Sequence, residues 1–227
     1  MKSTITPYSP EWFKARCGTF TASEIYKLMT EPRLKADKEA GNLSEGANTY
    51  VLEKVHEKLT GITKVGIDNH ATQWGVENEP LSLKWYGIKT GNKVEDSYLC
   101  YKDGLEGFSC TPDGFVNDDG LIETKSPWNG ANHIKHCFIT TDEGFKSEHP
   151  NYFWQCQAQM LITGRKWCDY VSFDPRIDSS LGLFIYRLHA NEECHRMLID
   201  KVTKARTYFN DIYTLFSMSP NEQLTIN

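Results

Sequence analysis

The sequence lacks any run of eighteen apolar residues, and its first twelve residues, MKSTITPYSPEW, hold no apolar stretch of signal-peptide length. Neither membrane insertion nor secretion is expected, and the cytoplasm is the expected compartment. No C-x-x-C pair occurs, and the seven cysteines are scattered and odd in number, unlike a disulfide framework. His133, His136 and Cys137 of HIKHC therefore have no cysteine pair with which to complete a zinc site. The G-x-x-x-x-G-K-[ST] loop of an ATP-driven motor is missing. So are internal repeats, low-complexity tracts and Pro/Ser-rich linkers, and one domain, 1–227, is the economical expectation. Positive charge is in short supply: a net charge of −5 argues against a protein that coats nucleic acid by bulk attraction. The acidic excess falls beyond residue 70, which leaves the N-terminal third better placed to meet a polyanion.

What is present suffices for a packed core, with 39% hydrophobic and 12% aromatic residues. TASEIYKLMTEPRL predicts a helix capped by Thr21 or Ser23, running through Ile25 and Leu28 and over before Pro32. Residues 34–47 read as a polar, mobile surface segment, followed by a helix over 48–59 ended by Gly61. A further helix is expected over 71–86, closed by Gly87. Residues 93–127 read as successive strands, with Asp119-Gly120 suited to a tight hairpin turn. A helix over 151–162, two strands in KWCDYVSFDP and LGLFIYRLH, and a long amphipathic helix over 192–216 complete the pattern. The expected fold class is α/β, a central mixed β-sheet flanked by helices.

The chemistry-bearing stretch is TPDGFVNDDGLIETKSP, residues 111–127. Successive strand residues alternate faces, so Glu123 and Lys125 share one side of a strand and Thr124 takes the other. Asp113, at the end of the preceding strand, can join them. Taken alone, E-x-K also reads as a Glu/Lys pair on a solvated hairpin face. Taken with Pro112-Asp113, it matches the loose signature of the restriction-endonuclease-like nucleases: P-D, a gap, then Asp or Glu, any residue, Lys. Hard Mg²⁺ takes carboxylate oxygens beside a scissile phosphate, and an ammonium helps to activate water or offsets developing negative charge.

Four segments sharpen that match. WFKARCGTFTASE, WGVENE, the TPDG...ETKSP block and YFWQCQAQM occur in the order, and with nearly the spacing, of the viral-recombinase family that includes the lambda exonuclease. The chain resembles that family over about residues 11–175. The resemblance implies a restriction-endonuclease-like core, with Asp113 and Glu123 as principal metal ligands, the carbonyl of Thr124 contributing, and Lys125 as the catalytic lysine. It adds Glu79 as a carboxylate for a second metal, where an exposed helix acid is the plain alternative, and Gln155 to orient water or the scissile phosphate. Arg16 and Ser23 match positions that bind a 5′-terminal phosphate, a role suited to a planar guanidinium and to a hydroxyl near a helix start. Ser23 could equally be a plain cap. Arg33 matches a DNA-contacting arginine. The chain departs from the family in a longer segment between Arg33 and Trp74, and at Thr72, where the family carries an apolar residue. How the duplex end is parted is thereby left open.

The function so implied is a Mg²⁺-dependent exonuclease, with two ions per site and Mn²⁺ able to substitute. It would enter at double-stranded DNA ends, digest the 5′-terminated strand 5′ to 3′, and leave a 3′ tail for a single-strand annealing protein. A closed homotrimer encoded by a phage or prophage in a bacterial host goes with the resemblance. A structure- or sequence-specific endonuclease of the same fold and a non-catalytic DNA-end-binding module are the alternatives.

Overall fold

The computed structural model describes residues 5, 7, 9–63, 70–178 and 180–218. Its centre is a sheet of five strands in the order β2 (Val94–Glu95), β5 (Gly114–Val116), β6 (Gly120–Lys125), β7 (Trp167–Phe173) and β8 (Leu183–His189). β6 and β7 run parallel and the other neighbours antiparallel, so the sheet is mixed. A parallel pair needs a long crossover. Here it holds α5 (Gly130–His136), α6 (Asp142–Glu148) and α7 (Pro150–Thr163). A smaller sheet sets β4 (Phe108–Cys110) between β1 (Phe20–Thr21) and β3 (Cys100–Tyr101).

Strand period two divides the core between the faces of the central sheet. Phe115, Leu121, Cys168 and Tyr170 join Phe153 and Met160 of α7 and Leu198 and Val202 of α8 (Glu192–Ser217) in one buried cluster. On the other face Val116, Ile122, Trp167 and Val171 pack with Tyr86 of α4 (His70–Thr90). α3 (Glu45–Thr60) lies against α8, and α1 (Pro10–Arg16) and the short α2 (Lys35–Glu39) complete the helices of the described residues.

Several local expectations change. TASEIYK forms a six-residue 3₁₀ helix, Ala22–Lys27, rather than an α-helix, and Thr21 makes no side-chain cap bond. Residues 34–47 are not one irregular segment: they include α2, and α3 begins at Glu45, capped by Ser44, whose hydroxyl accepts from Ala47 N at 3.1 Å. α3 does end at left-handed Gly61. α4 continues through Pro80 and Gly87 to Thr90, because its buried side binds the sheet: the Tyr86 hydroxyl donates to Asp169 at 2.6 Å and Ser82 pairs with Thr124. The β5–β6 turn is Asn117-Asp118-Asp119, with Asn117 at φ 49°, and Gly120 is already in the strand. Glycine is required there because a Cβ would stand 2.1 Å from the Trp167 ring.

Candidate active site

β5 and β6 form the floor of the site. Glu123 is 1% exposed and points to the α7 face, so the solvated-hairpin reading of E-x-K does not hold. Its Oε1 accepts from Gln155 Nε2 at 2.6 Å and from the Lys125 ammonium, and its Oε2 accepts from Gln159 Nε2 at 2.5 Å. Thr124 faces away, as the alternation requires: its hydroxyl meets Ser82 of α4, while its N–H donates to Asp113 Oδ2 at 2.7 Å. That bond ties the end of the P-D turn to the strand bearing E-x-K. Ser97 holds the same turn through the carbonyl of Pro112.

The electrostatics are those of too many acids for one cation. Burial first, then the charges of Glu123 and Glu79, push the Asp113 carboxyl well above the usual carboxylate range, against the pull of Lys125 and the Thr124 N–H. Burial and Glu123 raise Glu79 as well. Burial opposes the charge on Lys125, but Glu123 and Asp113 outweigh it and hold its pKa above the ordinary value. Its Nζ also lies 5.5 Å from the centre of the Tyr152 ring.

A cavity of about 230 Å³ gathers most of the residues singled out in the sequence. Asp113, Glu123 and Lys125 line it together with Glu79 and Gln155, and Arg16 and Ser23 line it as well. Arg16 lies 3.8 Å over the ring of Trp12, whose indole N–H donates to Thr111 Oγ1 at 3.0 Å, so α1 is docked on the turn that carries Asp113. Ser23 is exposed and its hydroxyl sits 3.3 Å from Thr21 Oγ1. Thr124 and Trp128 line a second cleft, of about 470 Å³, which shares Glu79, Asp113 and Lys125 with the first. Arg33 is not brought to either. It is exposed on a separate cleft of about 1230 Å³, with Asp37 and Lys204, where none of the carboxylate cluster lies.

Three participants escaped the sequence reading. Gln159 stands one turn beyond Gln155 on α7, and that i, i+4 spacing in YFWQCQAQM was the available signal. Its Oε1 is buried with no hydrogen-bond partner among the described residues. Lys54 and Glu57 of α3 form a buried pair at 2.9 Å; Glu57 Oε2 accepts from Gly18 N at 3.2 Å and Lys54 reaches Glu24 at 3.1 Å. They fasten the segment carrying Arg16 and Ser23, and only tertiary structure brings them under it. The HIKHC histidines are core groups instead: His133 spans Ser172 Oγ and the Leu181 carbonyl, and burial holds the His136 pKa at about 3.

Among the described residues no three His, Cys, Asp or Glu side chains converge as a preformed metal cage. The donor chemistry nonetheless fits a hard divalent cation: oxygen donors only, with Asp113 and Glu79 raised by burial and then by the charge of Glu123, a repulsion that added positive charge would relieve.

Residues 11–166 match the YqaJ-like viral recombinase domain. No curated protein matches the chain. An alkaline exonuclease from Laribacter hongkongensis, solved alone and in complex with dAMP, is 31% identical and superposes at a TM-score of 0.77, over 92% of this chain and 96% of that one. A phage-related exonuclease from Haemophilus somnus, 22% identical, shares the fold at a TM-score of 0.72, over 88% of this chain and 96% of its own. The mixed sheet between helices is thus the expected restriction-endonuclease-like core. The chain belongs to the YqaJ-like viral recombinase family, alongside the alkaline exonucleases, and is a deoxyribonuclease.

Proposed function

We propose that the chain is a Mg²⁺-dependent exonuclease that digests the 5′-terminated strand from double-stranded DNA ends, 5′ to 3′, and leaves a 3′ tail for a single-strand annealing protein. The observation that carries this reading is that one cavity is lined both by the Asp113, Glu123 and Lys125 cluster and by Arg16 and Ser23. A guanidinium and a hydroxyl in the same cavity as the carboxylates suit a terminal phosphate beside the point of cutting.

Asp113, Glu123, the Thr124 carbonyl and Glu79 would hold the cation. When bound, it supplies charge against the phosphate and lowers the pKa of water. The Gln155 and Gln159 amides fix both oxygens of Glu123, so the carboxylate needs little reorganisation in the reaction. Lys125, held as an ammonium, offers N–H donors to negative charge building on the phosphate oxygens. Arg16 and Ser23 take the terminal phosphate, and each cleavage exposes a new one for them to capture, which biases movement forward without ATP.

End-labelled linear duplex, with and without Mg²⁺, tests the proposal, with covalently closed circular DNA as the second substrate. Metal-dependent release from the 5′-terminated strand and survival of the circle are expected. Release from the 3′-terminated strand, or cutting of the circle, would overturn it.

A further inference from the structure

Arg16 and Ser23 line the first cavity and not the second, Trp128 lines the second and not the first, and Glu79, Asp113 and Lys125 line both. Trp128 stands in the loop between β6 and α5, three residues after Lys125, and the residue is 44% exposed. It is an exposed aromatic with a built backing. Trp74 of α4 meets it edge-on with ring centres 5.2 Å apart, and His70 lies tilted at 4.2 Å. The Arg176 guanidinium sits 4.9 Å from the Trp74 ring centre and 5.7 Å from that of Trp128.

Arg176 is itself locked. Its Nε and Nη2 donate to the two oxygens of Asp174 at 2.8 and 2.7 Å, and Nη2 also reaches the Pro127 carbonyl at 3.4 Å. The hydrogen bond from Asp174 N to the Gly182 carbonyl, at 2.9 Å, anchors that carboxylate beyond β7. A guanidinium so engaged is poorly placed to bind a phosphate. It serves as a fixed, flat support for two indoles, and the chain thereby holds a rigid ring where substrate must pass.

We infer that Trp128 is a stacking platform for a nucleobase of the DNA substrate, the one on the 3′ side of the scissile bond. The assignment of that base rests on the proposed 5′ to 3′ polarity; the platform does not. A nucleobase is the fitting occupant because the cleft of about 470 Å³ has room for about one nucleotide and opens directly onto the groups that handle the phosphodiester. Base stacking is tolerant of sequence, as a processing nuclease requires, since every base offers a π face. A residue that merely packed α4 against the loop would not need to stay nearly half exposed while lining that cleft.

The test uses short duplexes carrying 2-aminopurine at the second position, either of the 5′-terminated or of the 3′-terminated strand, with calcium in place of magnesium. Quenching of the probe in the 5′-terminated strand is expected with the wild-type protein. Trp128→Leu, which keeps apolar bulk but has no π face, should abolish the quenching and weaken duplex binding about tenfold. Trp128→Phe should restore most of both, and equal melting temperatures for the three proteins would separate stacking from structural support. If Trp128-dependent quenching falls instead on the 3′-terminated strand, the platform stands and the polarity proposed above falls. Unchanged fluorescence and affinity in Trp128→Leu would overturn the platform.

Discussion

Two acids are equally buried on opposite faces of the central sheet, and their surroundings could hardly differ more. Asp169 of β7 and Glu123 of β6 are each 1% exposed. Asp169 receives Arg187 on both oxygens, at 2.7 and 2.8 Å, and the Tyr86 hydroxyl at 2.6 Å; Arg187 in turn lies 3.7 Å over the Trp167 ring. Charge is balanced and every oxygen is engaged. Glu123 has one cation, Lys125, but two further acids, Glu79 and Asp113, share its field. Neutral amides from Gln155 and Gln159 hold it in place without cancelling its charge. A buried acid matched by a bidentate arginine ties elements together. One crowded by like charges stores repulsion that a cationic ligand can use.

The comparison breaks if the two acids behave alike on substitution. Asp169→Ala should destabilise the fold by roughly 1–3 kcal/mol, since it leaves the buried Tyr86 hydroxyl without its acceptor and the half-exposed Arg187 without its carboxylate, yet leave the rate per folded molecule near wild type. Denaturant unfolding and initial rates on end-labelled duplex measure the two quantities. The mirror image is expected of Asp113→Asn and Glu123→Gln. Each removes charge from an overcrowded site, so the fold should hold, while cleavage falls by about 10²–10³. Near-wild-type cleavage by Asp113→Asn would remove it from the site.

This contrast also marks how far the sequence could be read. Alternation alone placed Glu123 and Lys125 together and Thr124 opposite, because period two is a local property of any strand. It could not tell a buried Glu123 from a solvated one, since burial is imposed by α7, thirty residues on. Asp169 and Arg187 lie on different strands and meet only through the β7–β8 register, so neither drew notice. Gly87 misled for a similar reason: it weakens a helix locally, and the buried contacts of Ser82 and Tyr86 carry the helix past it. The seven-residue helices α5 and α6 passed unread, although Asn129 and Thr141 cap them with side-chain bonds to Ala131 N and Gly144 N. Such short helices have little periodicity to detect.

A smaller effect sharpens the division of labour within the cavity. Arg16 shares the cavity with the carboxylates but is not one of the oxygen donors that would hold the cation, so Arg16→Ala should leave cation binding unchanged. A charge-assisted hydrogen bond is worth about 1.5–3 kcal/mol, so the variant should lose a preference for 5′-phosphorylated over 5′-hydroxyl duplex of tenfold or more. Initial rates in excess enzyme on two otherwise identical duplexes measure it. Full retention of the preference would move the phosphate site elsewhere.

The smallest change in stability should come from Gln159→Met, and it tests whether Glu123 is held for function or for folding. Gln159 donates to Glu123 Oε2, a bond to a charged acceptor that contributes about 1.5–3 kcal/mol, while its own Oε1 is buried with no donor, a penalty of about 1–3 kcal/mol. Methionine fills nearly the same volume and removes both terms, so they offset and unfolding stability should shift by less than about 1 kcal/mol. The rate should not be spared in the same way. With Gln155 and Lys125 both on Oε1, no other side chain of the described residues donates to Oε2, and the carboxylate gains freedom to turn about its last bond. A loss of about tenfold in cleavage is expected, smaller than for removing the carboxylate because the charge remains. Stability lost with the rate unchanged would instead make Gln159 a structural partner of Glu123, and the two buried acids would then differ less than their surroundings suggest.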